Sequence, residues 1–134
     1  MGGASIEEIM SQSKNHILIV DDEPVWLKMV TRIIQLQGYE VKSASNGAEA
    51  LETLRSFEPD LILLDIKMPD MNGFDLLDRI KKQPKLAVKP VVFISGMDDY
   101  HARKVARDLG ATDYIIKPLE EQEVTRMLSR YLPL

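Results

Sequence analysis

A chain of 134 residues with 17 Lys and Arg against 21 Asp and Glu is the size of one domain and carries a net charge of −4, without the basic footprint of a nucleic-acid reader. The absence of cysteine excludes a disulfide framework and any thiolate metal site, and fits the cytoplasm. The apolar runs are too short to span a membrane, and the N-terminus has neither the apolar core of a signal peptide nor a full myristoylation pattern.

Residues 1–14 are polar and read as a tail, either mobile or an expression scar, in which Ser5 to Ser13 has weak helical spacing. His16 to Val20 is a short β-branched run, the first strand. Asp21-Asp22-Glu23-Pro24 ends it and starts a helix, because an acidic residue before Pro suits a helix N-terminus. Leu27, Val30, Ile33 and Ile34 recur at helical spacing as far as Gln37, and Gly38 terminates them. Tyr39 to Ala44 is the second strand. Ser45 or Asn46 caps a second helix with Ala48, Leu51 and Leu54 on one face. Leu61 to Leu64 is the third strand, closed by Asp65 and the turn Ile66 to Gly73. Phe74 to Lys82 is a third helix with Leu77 and Ile80 inward, and Pro84 and Pro90 bracket a loop. Val91 to Ile94 is the fourth strand, ended by Ser95-Gly96. Asp98 or Asp99 caps a fourth helix carrying Ala102, Val105, Ala106 and Leu109, which Gly110 closes. Asp113 to Ile116 is the fifth strand, and Glu120 to Tyr131 the last helix, with Val124, Leu128 and Tyr131 on one face.

Strands joined by helices lie parallel, and apolar parallel strands need helices on both faces. The expected fold is therefore an α/β three-layer, doubly wound (βα)5 sandwich around a five-stranded parallel sheet. Ligands of such sheets bind beyond the carboxyl ends of the strands. Asp21 and Asp22 follow the first strand, Asp65 the third, Ser95 the fourth and Lys117 the fifth. Taken singly, Asp22 is a helix cap, Asp65 a turn residue, Ser95 a strand terminator and Lys117 a solvated charge. Four accidents on one rim are less economical than one site. Carboxylates gathered there repel, and an oxygen-only donor set suits Mg²⁺. Asp22 and Asp65 are the expected direct ligands, with Asp21 direct or through water. Metal, ammonium and hydroxyl around one carboxylate suit phosphoryl transfer onto Asp65.

Ile17 to Glu23 (ILIVDDE), Asp65 to Gly73 (DIKMPDMNG), Ile94 to Gly96 (ISG) and Gly110 to Pro118 (GATDYIIKP), in this order, resemble the receiver domain of two-component response regulators over residues 15–131. The resemblance implies the flavodoxin-like strand order 2-1-3-4-5 and one receiver domain over 15–134. It implies that Asp65 takes a phosphoryl group from a sensor histidine kinase or a histidine phosphotransfer protein. Asp21, Asp22, Asp65 and the backbone carbonyl of Lys67 would hold Mg²⁺. Lys117 would bind the phosphoryl group and pair with Asp65 when it is free. A cis Lys117-Pro118 bond is implied too. Ser95 and Tyr114 would move as a switch that remodels the face of fourth helix, fifth strand and last helix. That face would control an effector or an output domain, or pair with a second copy as a homodimer. Such a domain is a phosphoacceptor, not a classical enzyme. Leu119 stands where Phe is frequent and Ser95 where Thr is. Lys67 and Met97, two residues past Asp65 and Ser95, border the path of attacking water and are expected to slow self-dephosphorylation.

Other residues read as scaffold. Trp26 is expected to pack partly on the first helix, Met68 and Met71 to pack the turn, and His16 and His101 to bind no metal. Arg103, Lys104 and Arg107 form a basic face, solvated or a partner contact. A flavin binder would need a hydroxyl- and glycine-rich loop where Asp21-Asp22-Glu23 stands, and a Mg²⁺-dependent phosphohydrolase would need an acid at Lys67. The remaining rival is a module of the same fold that binds partners or dimerises without phosphorylation. With nothing beyond Leu134, the expectation is a stand-alone receiver or one cut from a longer regulator.

Overall fold

The structure, a computed structural model, describes Gly3 and residues 15–132, so the expected tail falls almost wholly outside it. The strands are β1 (His16–Val20), β2 (Glu40–Ala44), β3 (Leu61–Leu64), β4 (Val91–Ser95) and β5 (Asp113–Ile116). They form one parallel sheet in the order β2-β1-β3-β4-β5. The main helices are α1 (Pro24–Leu36), α2 (Gly47–Thr53), α3 (Gly73–Lys81), α4 (Tyr100–Asp108) and α5 (Glu121–Tyr131), with a single helical turn at Pro84–Ala87.

The layering follows from the strand sequences. Alternate residues of a strand face opposite sides. Ile17, Ile19, Leu61, Leu63, Val92 and Ile94 meet Val30 and Ile34 of α1 and Val124 and Leu128 of α5. Leu18, Val20, Ile62, Leu64 and Phe93 meet Ala50 of α2, Leu76, Leu77 and Ile80 of α3, and Ala102 and Ala106 of α4. Both faces of β3 are therefore covered, and all four of its residues are buried. β2 and β5 are the edges and are less buried.

Caps resolve where the sequence left alternatives. Asn46 accepts from the Glu49 N–H at 2.8 Å and Asp99 from the Ala102 N–H at 2.7 Å. Asn72 and Asp75 form a reciprocal capping box at the start of α3.

Several expectations are corrected. The Pro84–Pro90 stretch is not all loop: Pro84 opens a helical turn, as Pro at a first helical position permits. Of the face expected on α2, Leu51 and Leu54 do meet the core, but Ala48 is exposed and Ala50 is the buried alanine. Strand β2 begins at Glu40 rather than Tyr39, and β4 runs one residue further, through Ser95. The acid preceding Pro24 does not cap α1, because the Glu23 side chain is engaged elsewhere.

Candidate functional site

Strand register brings the polar residues together. Val20 lies opposite Leu64, so the residues that follow them, Asp21 and Asp65, leave the sheet side by side. The Asp65 N–H donates to the Val20 carbonyl at 2.9 Å. Ser95 lies opposite Ile116, and the Lys117 N–H donates to the Ser95 carbonyl at 2.9 Å. The crevice forms between β1 and β3, where the chain's winding reverses.

Asp21, Asp22 and Asp65 each present a carboxylate oxygen within 4.8 Å of the others. Asp21 and Asp65 are buried and Asp22 is exposed, so the cluster opens to solvent on one side. The Lys117 ammonium reaches across from β5, 2.7 Å from Asp21 Oδ2 and 3.7 Å from Asp65 Oδ2. The expected pairing of Lys117 with Asp65 is thus the longest of its three ion pairs. The third partner, unexpected from the sequence, is Glu23 Oε1 at 2.9 Å. The Asp21 carboxylate also accepts the Glu23 N–H at 2.9 Å, a local turn that folds Glu23 back over the crevice. Trp26, expected to pack on α1, does pack against that layer, and its ring also lies under the ammonium, 4.3 Å from centroid to Nζ.

Burial, then the neighbouring Asp21 charge, pushes the Asp65 carboxyl up to about 6, although Lys117 and the Ile66 N–H work the other way. Burial favours the neutral form of Lys117, but its hydrogen bonds to Asp21 and Glu23 outweigh this and the net shift is upward. The site is acid-rich and incompletely neutralised. Oxygen donors at this spacing, one of them a carboxyl pushed up by burial and a neighbouring acid, fit a hard divalent cation.

The turn after Asp65 is pressed onto the acid. A Cβ on Gly73 would lie 2.0 Å from the Asp65 carbonyl oxygen, so only glycine lets α3 begin this close. The sequence signalled Gly73 only as the end of a turn. Ser95 is buried, and its hydroxyl accepts the Met97 N–H at 3.2 Å. The Tyr114 hydroxyl donates to the Met97 carbonyl at 2.5 Å, so the ring is turned toward the β4–α4 loop. Arg103 lies 5.4 Å from the centroid of that ring and 3.0 Å from Asp98, which ties one member of the basic face to its own domain. Lys67 is exposed, and with Asp22, Met68 and Met97 it lines a groove over the acids. Lys117-Pro118 is cis. His16 sits at the opposite end of the sheet, between Glu40 and Asp60.

A doubly wound sheet in the order β2-β1-β3-β4-β5, with three acids and a lysine at its carboxyl edge, defines the class of flavodoxin-like signalling domains. Residues 17–129 match the family described as "Response regulator receiver domain", and the chain belongs to it. It is 33% identical over 127 residues to a "Probable transcriptional regulator ycf27" of Cyanidium caldarium, covering 95% of this chain and 50% of that protein. It is 31% identical over 116 residues to "Protein PilH" of Pseudomonas aeruginosa, covering 87% of this chain and 96% of that one. The chain thus spans about half of some curated relatives and nearly all of another. Among solved structures, Vibrio cholerae chemotaxis protein CheY4 superposes with a TM-score of 0.85 at 28% identity, covering 89% of this chain and 99% of that one. A phosphorylated cyanobacterial phytochrome response regulator, RcpA, superposes at 0.83 with 27% identity, covering 90% and 95%. The protein is a receiver domain of two-component signalling, a signalling module rather than a classical enzyme. No helix among the described residues is long and apolar enough to cross a membrane.

Proposed function

We propose that Asp65 is the phosphoacceptor of a cytoplasmic phosphorelay, and that residues 15–134 act as one receiver unit. One observation carries this: a buried carboxylate with a raised pKa stands beside two further acids and an ammonium at the rim where the sheet winding reverses. Asp65 Oδ1 accepts the Ile66 N–H at 2.8 Å, which fixes the carboxylate and leaves Oδ2 toward Lys117. Oδ2 is then the nucleophile. A bond forms between it and phosphorus as the bond from phosphorus to a histidine nitrogen of the donor breaks. Lys117 donates to the phosphoryl oxygens and Ser95 turns its hydroxyl toward them. Asp21, Asp22, Asp65 and the Lys67 carbonyl would hold Mg²⁺, which supplies charge neutralisation when bound.

The donor is a sensor histidine kinase or a histidine phosphotransfer protein. Tyr114 couples the site to the surface of α4, β5 and α5, because its ring packs on Phe93 beneath the site and its hydroxyl holds the loop that carries Met97. Ser95 and Tyr114 are the switch pair, and that surface meets an effector, an output domain or a second copy.

The test is incubation with Mg²⁺ and acetyl phosphate, read by intact mass. One added phosphoryl group is expected, and none in Asp65→Asn. An unmodified wild type that still captures its partner would instead favour a module that works without phosphorylation.

A further inference from the structure

An ammonium has three N–H donors and no more. At Lys117, Asp21 Oδ2 takes one at 2.7 Å and Glu23 Oε1 a second at 2.9 Å. The Trp26 ring lies under the ammonium, its centroid 4.3 Å from Nζ. At 3.7 Å, Asp65 Oδ2 lies beyond hydrogen-bond reach. Both hydrogen bonds of the ammonium thus go to groups other than the acid it must serve. We propose that Glu23 and Trp26 park Lys117 away from Asp65, and that Glu23 is the partner released when a phosphoryl group arrives. This deepens the phosphoacceptor reading and rests on it.

The choice of Glu23 as the exchangeable partner follows from exposure. Its side chain is 62% exposed, whereas that of Asp21 is 1% exposed. An ion pair to an exposed carboxylate is weak, because water solvates the released acid well. Stripping a cation from the buried Asp21 would leave an uncompensated charge and is far costlier. Trp26 cannot be released in the same way. It packs into the layer of α1 and α5, and its indole N–H is buried without a partner, so apolar packing sets the ring position. An indole face attracts an ammonium without capturing it in a directed bond. Trp26 therefore serves as a rail along which Nζ moves between Glu23 and Asp65. Both residues are positioning residues that act through Lys117. Glu23 raises the barrier to engaging Asp65, and Trp26 keeps the ammonium near it.

Beryllofluoride with Mg²⁺, which adds to a carboxylate as a stand-in for a phosphoryl group, is the probe. Glu23→Gln is expected to bind it about two- to fivefold more tightly than wild type. The same substitution in a Lys117→Gln background is expected to change nothing, since no ammonium remains to be parked. Trp26, the single tryptophan of the chain, supplies an arm that needs no ligand. Its emission in the unliganded protein is expected to change on Glu23→Gln when Lys117 is present and not in Lys117→Gln. An unchanged beryllofluoride affinity in Glu23→Gln overturns the parking role. So does an equal effect of Glu23→Gln on emission with and without Lys117, which would mark Glu23 as a general surface charge. Wild-type protein that does not bind beryllofluoride overturns the phosphoacceptor reading as well.

Discussion

Asp65 has a carboxyl displaced from its ordinary 3.8 to about 6, first by burial and then by Asp21. The folded protein therefore holds a proton that the unfolded chain has lost, and stability falls as pH rises from about 4 to about 6. A displacement of this size corresponds to about 3 kcal/mol. Urea melts of metal-free wild type and Asp65→Asn between pH 4 and pH 7 check this. The wild type is expected to lose about 2–3 kcal/mol relative to the asparagine variant, which should be the more stable at pH 7. Mg²⁺ held by the proposed ligands would compete with the same proton, so its affinity is expected to drop below about pH 6. Two further side chains, Lys67 and Met97, border the groove over the acids. Lys67→Asn combined with Met97→Ala is expected to shorten the lifetime of phosphorylated Asp65, as followed by intact mass after donor removal.

Between elements, the tightest constraint is the approach of α3 to the end of β3. Gly73→Ala would drive a Cβ into the Asp65 carbonyl and against Phe93. Overpacking of this kind costs about 1–3 kcal/mol and should also displace the Asp65 turn. Gly96, with open space around its Cβ position, is the control: Gly96→Ala is expected to stay within about 0.5 kcal/mol. Denaturant melts of the two variants separate a packing requirement from a general glycine effect. The packing of α5 is a plainer case. Leu128 is fully buried against β1, β3 and β4 residues, and Leu128→Ala is expected to cost about 2–5 kcal/mol.

For the whole molecule, four carboxylates (Asp21, Asp22, Glu23 and Asp65) gather at a single edge of the sheet, and three of them, Asp21, Glu23 and Asp65, pair with the Lys117 ammonium. A ligand that binds only the folded state stabilises it in proportion to the logarithm of its concentration. At a hundredfold excess over its dissociation constant, Mg²⁺ should add about 2.7 kcal/mol. A rise in Tm of several degrees is expected in wild type and a much smaller one in Asp22→Ala, read by a thermal melt with and without the ion. Size exclusion of the unmodified and beryllofluoride-bound forms then tests whether the surface of α4, β5 and α5 pairs two copies.

The strands, the helices and the edge at which the acids gather were legible in the residues alone, because strand alternation, helical spacing and capping chemistry act over a few positions. The four β-strand ends that carry Asp21, Asp65, Ser95 and Lys117 were placed on one rim by connectivity, without any distance. The order β2-β1-β3-β4-β5 came from family resemblance rather than from pattern, since periodicity says nothing about which strands are neighbours. Distances between residues remote in the chain were a different matter. That Lys117 lies nearer to Asp21 and Glu23 than to Asp65, and over Trp26, depends on contacts spanning up to 96 positions. That Gly73 must lack a side chain depends on how closely α3 is pressed against β3. Local sequence encodes which groups reach the edge; the packing of two helical layers on one twisted sheet decides which of them touch.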